Sequence, residues 1–369
     1  MEKKKHIAML IGTLNKGGAE RVMVNLADYF VEKGYAVTLV TQYQAETEYP
    51  LNPKVKRVFS EITQEEVTGN RIINFKRRFC KLRNIWIKER PDVILSFIGK
   101  NNMMAILTSR GLGIPVAVSV RGEPGEEYYN RIMRIGAKKL FALADGVILQ
   151  TKQCFEFFPV NVQKKAVILR NPVSKSFFRE RYEGEREKII VSVGRVDANK
   201  NHEMLIRAFS GIAEQFPDYR VIIYGEGECR EKLINLTKKL KLSERILLPG
   251  NIEDVAEAIY KTRVFVLTSD TEGSPNTLIE AMIMGLTVIA TDCPCGGPAD
   301  LISDWENGIL TPVRDVDGLQ ENLQKVLSDL QKADELGVAA RKTGDIYREE
   351  RVYREWEEFL CNLIRKSDK

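Results

Sequence analysis

Histidine is almost missing from this chain, which carries only His6 and His202. That scarcity argues against a histidine-rich metal site and against most histidine-based triads. Carboxylates and arginines are left as the groups able to do acid–base chemistry. Paired cysteines are missing too. Cys80, Cys154, Cys229, Cys293, Cys295 and Cys361 are scattered apart from one Cys-Pro-Cys, with no disulfide framework and no paired zinc spacing. No apolar run approaches the roughly 20 residues of a membrane-spanning helix; the longest, such as 114–120 and 264–267, have strand length. After a basic start, only Ile7 to Ile11 precede a glycine loop, too short for a signal-peptide core, so a cytoplasmic protein is expected.

What is present suits a soluble globular protein of two domains: 369 residues, 44% hydrophobic and 29% charged. The net charge of +5 hides a division. Residues 1–172 hold 28 Lys and Arg against 16 Asp and Glu, a balance of +12, and the remaining 28 and 35 leave residues 173–369 at −7. Only the first half is therefore expected to meet an anionic partner. The excess peaks at 71–90, where Arg71, Lys76, Arg77, Arg78, Lys81, Arg83, Lys88 and Arg90 face Glu89 alone. Ile72, Ile73, Phe75, Phe79, Leu82, Ile85 and Trp86 recur there at helical spacing. This segment is expected either to dock on an anionic membrane or to be an ordinary amphipathic helix with solvated charges.

Short β-branched runs alternate with amphipathic stretches along the chain. Strands are predicted at Ile7–Ile11, Val37–Thr41, Val93–Phe97, Val116–Val120, Val147–Gln150 and Val167–Leu169. Helices between them are predicted at Ala19–Lys33, Arg71–Lys88, Asn101–Arg110 and Glu126–Ala144. Residues 173–187 lack apolar periodicity and read as a linker. The pattern restarts with strands at Ile189–Val193, Arg220–Tyr224, Ile246–Leu248, Val264–Leu267 and Thr287–Ala290. The matching helices are His202–Gln215, Arg230–Leu240, Asp254–Lys261, Asn276–Met284 and Leu319–Leu330. The expected fold is α/β: two doubly wound, Rossmann-like domains over 1–172 and 173–345, facing each other across a cleft. A charged terminal helix within 346–369, with Tyr353, Trp356 and Phe359 at spacings of three, is expected to pack back on the first domain.

The most informative stretch is Thr268-Ser269-Asp270-Thr271-Glu272-Gly273-Ser274-Pro275-Asn276-Thr277-Leu278-Ile279-Glu280. It leaves a buried strand, turns at Gly273 and enters a helix, with Ser274 as cap and Pro275 at the first position. The amides of Asn276 and Thr277 at such a helix start favour an anion. Glu272 and Glu280 flank it, each able to accept paired hydroxyl hydrogen bonds. The bland alternative is a capped helix with a solvated Glu280.

Glu272 and Glu280 at this spacing, followed by Glu280-Ala281-Met282 and Gly285-Leu286-Thr287-Val288-Ile289-Ala290, closely resemble the signature of retaining glycosyltransferases of family 4. Three further segments agree: Val193-Gly194-Arg195-Val196-Asp197 with Lys200-Asn201-His202, the loop Asn15-Lys16-Gly17-Gly18-Ala19-Glu20-Arg21, and Gly296-Gly297-Pro298 with Glu306-Asn307-Gly308. The resemblance implies the GT-B fold, with a nucleotide-sugar donor on the second domain. It also implies that Arg195 and Lys200 stabilise the charge growing on the departing phosphate. Glu280 would hold the ribose, Glu272 the donor sugar, and the backbone of Ile252 the base. Arg195, Lys200 and Glu272 are the expected catalytic residues. Gly17, Gly18, Gly273, Ser274, Asn276 and Thr277 complete the expected donor site, and Arg21 and Arg121 stand on the acceptor side.

One departure concerns Ser119-Val120-Arg121-Gly122-Glu123, where many relatives carry a histidine and this chain offers Arg121. His202 opens a helix and reads as a cap-region residue, not a replacement. Asp315-Val316-Asp317 has the spacing of a metal motif but opens a late helix, so neither metal nor cofactor is expected. Gly225-Glu226-Gly227 lacks the third glycine of a dinucleotide fingerprint. The expected activity is metal-independent, retaining transfer of a hexose or N-acetylhexosamine from a UDP-sugar to a glycan, lipid-linked at a bacterial inner membrane. The competing readings are another GT-B enzyme, such as a nucleotide-sugar epimerase or a phosphorylase, or a nucleic-acid-binding module. No nucleic-acid partner is expected on the leading reading.

Overall fold

The computed structural model describes residues 5–15 and 17–367. The chain divides into two compact units, Met1–Pro172 with Glu350–Lys369, and Val173–Glu349. Lys16 of the first glycine loop, and Met1 to Lys4 of the basic start, lie outside the described residues.

Among the described residues, the first unit holds a parallel sheet of β1 (His6–Leu10), β2 (Ala36–Thr41), β3 (Lys56–Phe59), β4 (Val93–Phe97), β5 (Val116–Ser119), β6 (Gly146–Leu149) and β7 (Ala166–Ile168). Their order is β3-β2-β1-β4-β5-β6-β7. The winding reverses between β1 and β4, which pair from Ile7↔Val93 to Leu10↔Ser96. Ligands of such sheets bind beyond the strand carboxyl ends at that reversal. The helices are α1 (Gly18–Glu32), α2 (Arg71–Glu89), α3 (Gly99–Ser109), α4 (Pro124–Glu127), α5 (Arg131–Phe141), α6 (Lys152–Phe157) and α7 (Val160–Gln163). The single helix expected over 126–144 is therefore broken. Asn130 caps a new start, its side chain accepting from the Met133 amide at 2.8 Å.

The second unit repeats the scheme with β8 (Glu187–Val193), β9 (Arg220–Tyr224), β10 (Ile246–Gly250), β11 (Thr262–Leu267), β12 (Thr287–Asp292) and β13 (Ile309–Pro312). The order is β10-β9-β8-β11-β12-β13, so here the reversal lies between β8 and β11. Its helices are α8 (His202–Ile212), α9 (Arg230–Lys239), α10 (Val255–Tyr260), α11 (Asn276–Ile283), α12 (Gly297–Leu301), α13 (Val316–Ser328) and α14 (Leu330–Arg341). Residues 173–187 are not a free linker. Val173 and Phe177 are buried in this unit's core. Arg186, 6% exposed, donates to the carbonyls of Thr262 at 2.9 Å and Gly285 at 3.0 Å.

The last helix, α15 (Glu349–Ser367), buries Val352, Tyr353, Trp356, Leu360, Leu363 and Ile364 in the first unit's core. Those positions follow the three–four alternation of one helix face. Gly146 in β6 makes room for it, since a Cβ there would stand 2.5 Å from Phe359 Cζ.

Helix α2 divides along its length. Its carboxyl half buries Leu82, Ile85 and Trp86, and the indole donates to Thr108 Oγ1 at 2.8 Å. The amino half leaves Ile72 79% and Phe75 51% exposed beside Lys76 and Arg77. Core packing therefore accounts for half of the apolar stripe and not for the rest.

Candidate active site

In the second unit, β8 and β11 end side by side at the winding reversal, and the charged residues of both loops meet there. Lys200 Nζ pairs with Glu272 Oε1. Their side chains are 16% and 12% exposed, so the pair is shielded from water. Ser269 Oγ donates to the same Glu272 oxygen at 2.6 Å. Gly194 lets the lysine stem lie flat, since a Cβ there would stand 3.3 Å from Lys200 Cε.

Two residues brace the loops. Asp197 accepts the Lys200 amide at 3.0 Å and pairs with Arg195 Nη2 at 3.1 Å, which closes the turn from β8 into α8. Asn199 stitches the β8 loop to the β11 loop: its carbonyl accepts the Asp270 amide at 2.7 Å and its Oδ1 the Thr271 amide at 3.0 Å. The Arg195 side chain, by contrast, is 68% exposed.

Helix α11 begins at Asn276, with Pro275 as its cap residue and no side-chain cap bond. The expected Ser274 cap is thus displaced by one residue, because the Pro275 carbonyl already accepts the Leu278 and Ile279 amides. Asn276 and Thr277 stand in the first turn of α11, at the positive end of its dipole. Glu280 is 1% exposed. It is not the solvated surface residue of the bland alternative. Gly273 lies against the next loop so tightly that a Cβ on Gly297 would stand 1.8 Å from its carbonyl oxygen. Ile252 is exposed just after β10.

His202 is buried, with Nδ1 3.3 Å from Ser192 Oγ and Nε2 3.3 Å from the Arg195 carbonyl. Burial, aided by the Lys200 charge, pulls its pKa down to about 4, so it is neutral and structural. Burial pushes the Cys293 thiol up to about 12, with the Glu272 charge adding to the effect. Cys293 and Cys295 are both free and buried. Asp315 caps α13, accepting the Gly318 amide at 2.9 Å. Gly225, at φ +143°, comes so close to the β8 loop that a Cβ would stand 1.8 Å from the Gly194 carbonyl.

The remaining residues lie in the first unit. Gly17 precedes α1, its carbonyl accepting the Arg21 amide at 3.1 Å, and Gly18 opens the helix. Arg121 follows β5 with its guanidinium 4.5 Å from the Phe97 ring centroid and Nη2 bonded to Asn171 Oδ1. Burial pulls this guanidinium below its ordinary pKa, opposed by the charges of Glu127 and Glu20. Sequence reasoning passed over Asp197, Asn199, Ser269 and Glu127. Asp197 and Ser269 stood inside quoted motifs and Asn199 in the gap of one, whereas Glu127 carried no signal at all.

A cation pair, a helix start and two carboxylates at one strand reversal suit an anionic ligand bearing hydroxyls. Comparison with known proteins decides the class. The glycosyl transferases group 1 family model matches residues 174–343, and the glycosyltransferase family 4 model matches residues 16–174. The chain belongs to the glycosyltransferases. This glycosyltransferase is 28% identical to a Campylobacter jejuni enzyme named GalNAc-alpha-(1->4)-GalNAc-alpha-(1->3)-diNAcBac-PP-undecaprenol alpha-1,4-N-acetyl-D-galactosaminyltransferase, over 97% of this chain and 98% of the relative. It is 24% identical to the amylovoran biosynthesis glycosyltransferase AmsD of Erwinia amylovora, over 96% and 99%. Among solved structures, Anabaena HepE in complex with UDP and glucose superposes with a TM-score of 0.82 at 15% identity, over 97% of this chain and all of that one. That likeness shows the fold of the glycosyltransferase, which is GT-B.

Proposed function

We propose that this glycosyltransferase moves a hexose or N-acetylhexosamine from a UDP-sugar to a lipid-linked glycan, with retention at the anomeric carbon and without a metal. The observation carrying this reading is the shielded Lys200–Glu272 pair at the β8–β11 reversal, with exposed Arg195 on the same β8 loop. Breaking the glycosidic bond builds negative charge on the β-phosphate. Two cations and the α11 amides would meet that charge in place, without reorganisation at the moment of reaction. Glu272, already accepting from Lys200 and Ser269, would turn its carboxylate to the sugar hydroxyls. Glu280 would take the ribose hydroxyls and the Ile252 backbone the base. Gly273, Ser274, Asn276 and Thr277 would line the phosphates, with Gly17 and Gly18 as a second amide source. Arg21 and Arg121 would serve the acceptor.

The relatives' names support a polysaccharide pathway and a lipid-diphosphate acceptor for those proteins, and the HepE complex supports UDP for that one. The exposed apolar and basic amino half of α2 supports docking on an anionic membrane at the cytoplasmic face. No described helix is long and apolar enough to cross a membrane. The test is transfer from a panel of UDP-sugars in excess EDTA, with the product anomer read by NMR. Retained configuration and undiminished turnover are expected. Inversion, or activity abolished by EDTA and restored by manganese, would overturn the reading.

A further inference from the structure

The first unit has its own arrangement at its strand reversal. There β4 ends at Phe97 and the chain turns through Ile98 at φ +72° and Gly99 at φ +40° before α3 begins. A β-branched residue at positive φ is strained and persists only where its surroundings fix it. The fixing group is Glu127, at the end of α4. Its Oε2 accepts the Gly99 amide at 3.0 Å, and its Oε1 accepts the amides of Arg121 at 2.7 Å and Gly122 at 3.0 Å. One acceptor-only carboxylate thus ties the turn after β4 to the turn after β5. The Glu123 carboxylate, accepting the Glu126 amide at 2.6 Å, closes the short helix that presents Glu127.

What these two turns carry is Arg121. Its guanidinium lies on Phe97 and bonds Asn171, so it joins the end of β4 to the segment after β7 while its own backbone follows β5. Its Nε is buried and has no hydrogen-bond partner among the described residues. A cation with an unused donor, at the carboxyl ends of a doubly wound sheet, suits an anionic group.

We propose that Glu127 is a positioning residue that holds Arg121 as a diphosphate-binding cation in the first unit. This rests on the reading of Arg121 as an acceptor-side group, so the diphosphate is the acceptor's and not the donor's. The test uses the full chain carrying Arg195→Ala and Lys200→Ala, which removes the donor cations, titrated calorimetrically with inorganic diphosphate. Adding Arg121→Gln is expected to weaken binding roughly tenfold, as loss of a charged hydrogen bond would. Adding Glu127→Gln should do the same, because its amide group turns N–H donors against backbone N–H donors. The two together should cost no more than either alone, and Glu127→Asp should fall between. UDP binding to Glu127→Gln alone, with Arg195 and Lys200 intact, should match the parent. Absence of diphosphate binding before either change, additive effects, or equal loss of UDP binding would each overturn the proposal. Failure of UDP to bind the parent would instead count against the donor site.

Discussion

The two sheets wind alike, yet their strand ends are furnished differently. In the second unit, the paired charged residues come from two loops, 194–200 and 269–275, and Lys200 pairs directly with Glu272 across them. In the first unit, the network draws on Phe97, Arg121, Glu127 and Asn171, from the ends of three strands and one short helix. The second unit concentrates opposite charges in a shielded floor. The first holds a half-buried arginine, Arg121, whose backbone is clamped, and it also bears the basic, apolar-tipped α2. One winding, repeated, thus carries a shielded pair of opposite charges in one unit and a single cation on clamped turns in the other.

The sharpest way to break this contrast is to remove the second unit's cations. Arg195→Ala and Lys200→Ala should each lower turnover roughly 100- to 1,000-fold, as loss of one preorganised donor does, while circular dichroism stays that of the parent. Turnover within about threefold in both would erase the claimed asymmetry. A smaller effect is expected from the first unit. Changing Lys76, Arg77, Arg78 and Lys81 to Gln should lower binding to phosphatidylglycerol vesicles more than about tenfold at low salt, at about 1 kcal/mol for each charge near the surface. Arg78 already pairs with Glu61 at 2.6 Å, so it should contribute least of the four. Equal sedimentation of parent and variant would remove the membrane from the account.

The smallest effect concerns the histidines, one to each unit. Burial lowers both, His202 to about 4. An unfolded histidine titrates near 6.5, so between that pH and 4 the unfolded chain takes up a proton that folded His202 refuses. Stability from this residue is complete above about pH 6.5 and is lost on acidification, at about 1.4 kcal/mol for each pH unit. Urea midpoints at pH 6.5 and 5.5 should separate for the parent and draw together for His202→Gln. Identical separation in the two proteins would show that other groups carry the slope.

How far the sequence revealed each unit follows from the same contrast. The second unit's candidate site was legible because its residues lie within short contiguous segments, each leaving a strand and entering a helix. Glu127 was illegible, because a carboxylate that binds backbone amides of two distant turns leaves no spacing rule behind. Strands with apolar runs were found to within a few residues. The two missed strands are edges: Lys56–Phe59 is half charged, and Ile309–Pro312 ends in a proline that an edge tolerates. Helix α14 escaped because its buried face uses Ala333, Gly337 and Ala340 around a single Leu336, too small a signal for apolar periodicity. Residues 173–187 looked like a linker because Arg186 hides its charge among carbonyls, which composition cannot anticipate.

On the proposed function, the second unit holds a nucleoside diphosphate with its own cations and carboxylates. Calorimetric titration of UDP in excess EDTA tests it most directly. Saturable binding to the parent is expected, nearly unchanged for Glu272→Gln and clearly weakened for Glu280→Gln, whose amide cannot accept both ribose hydroxyls. Binding that appears only when manganese is supplied, or the reverse order of the two variants, would contradict it.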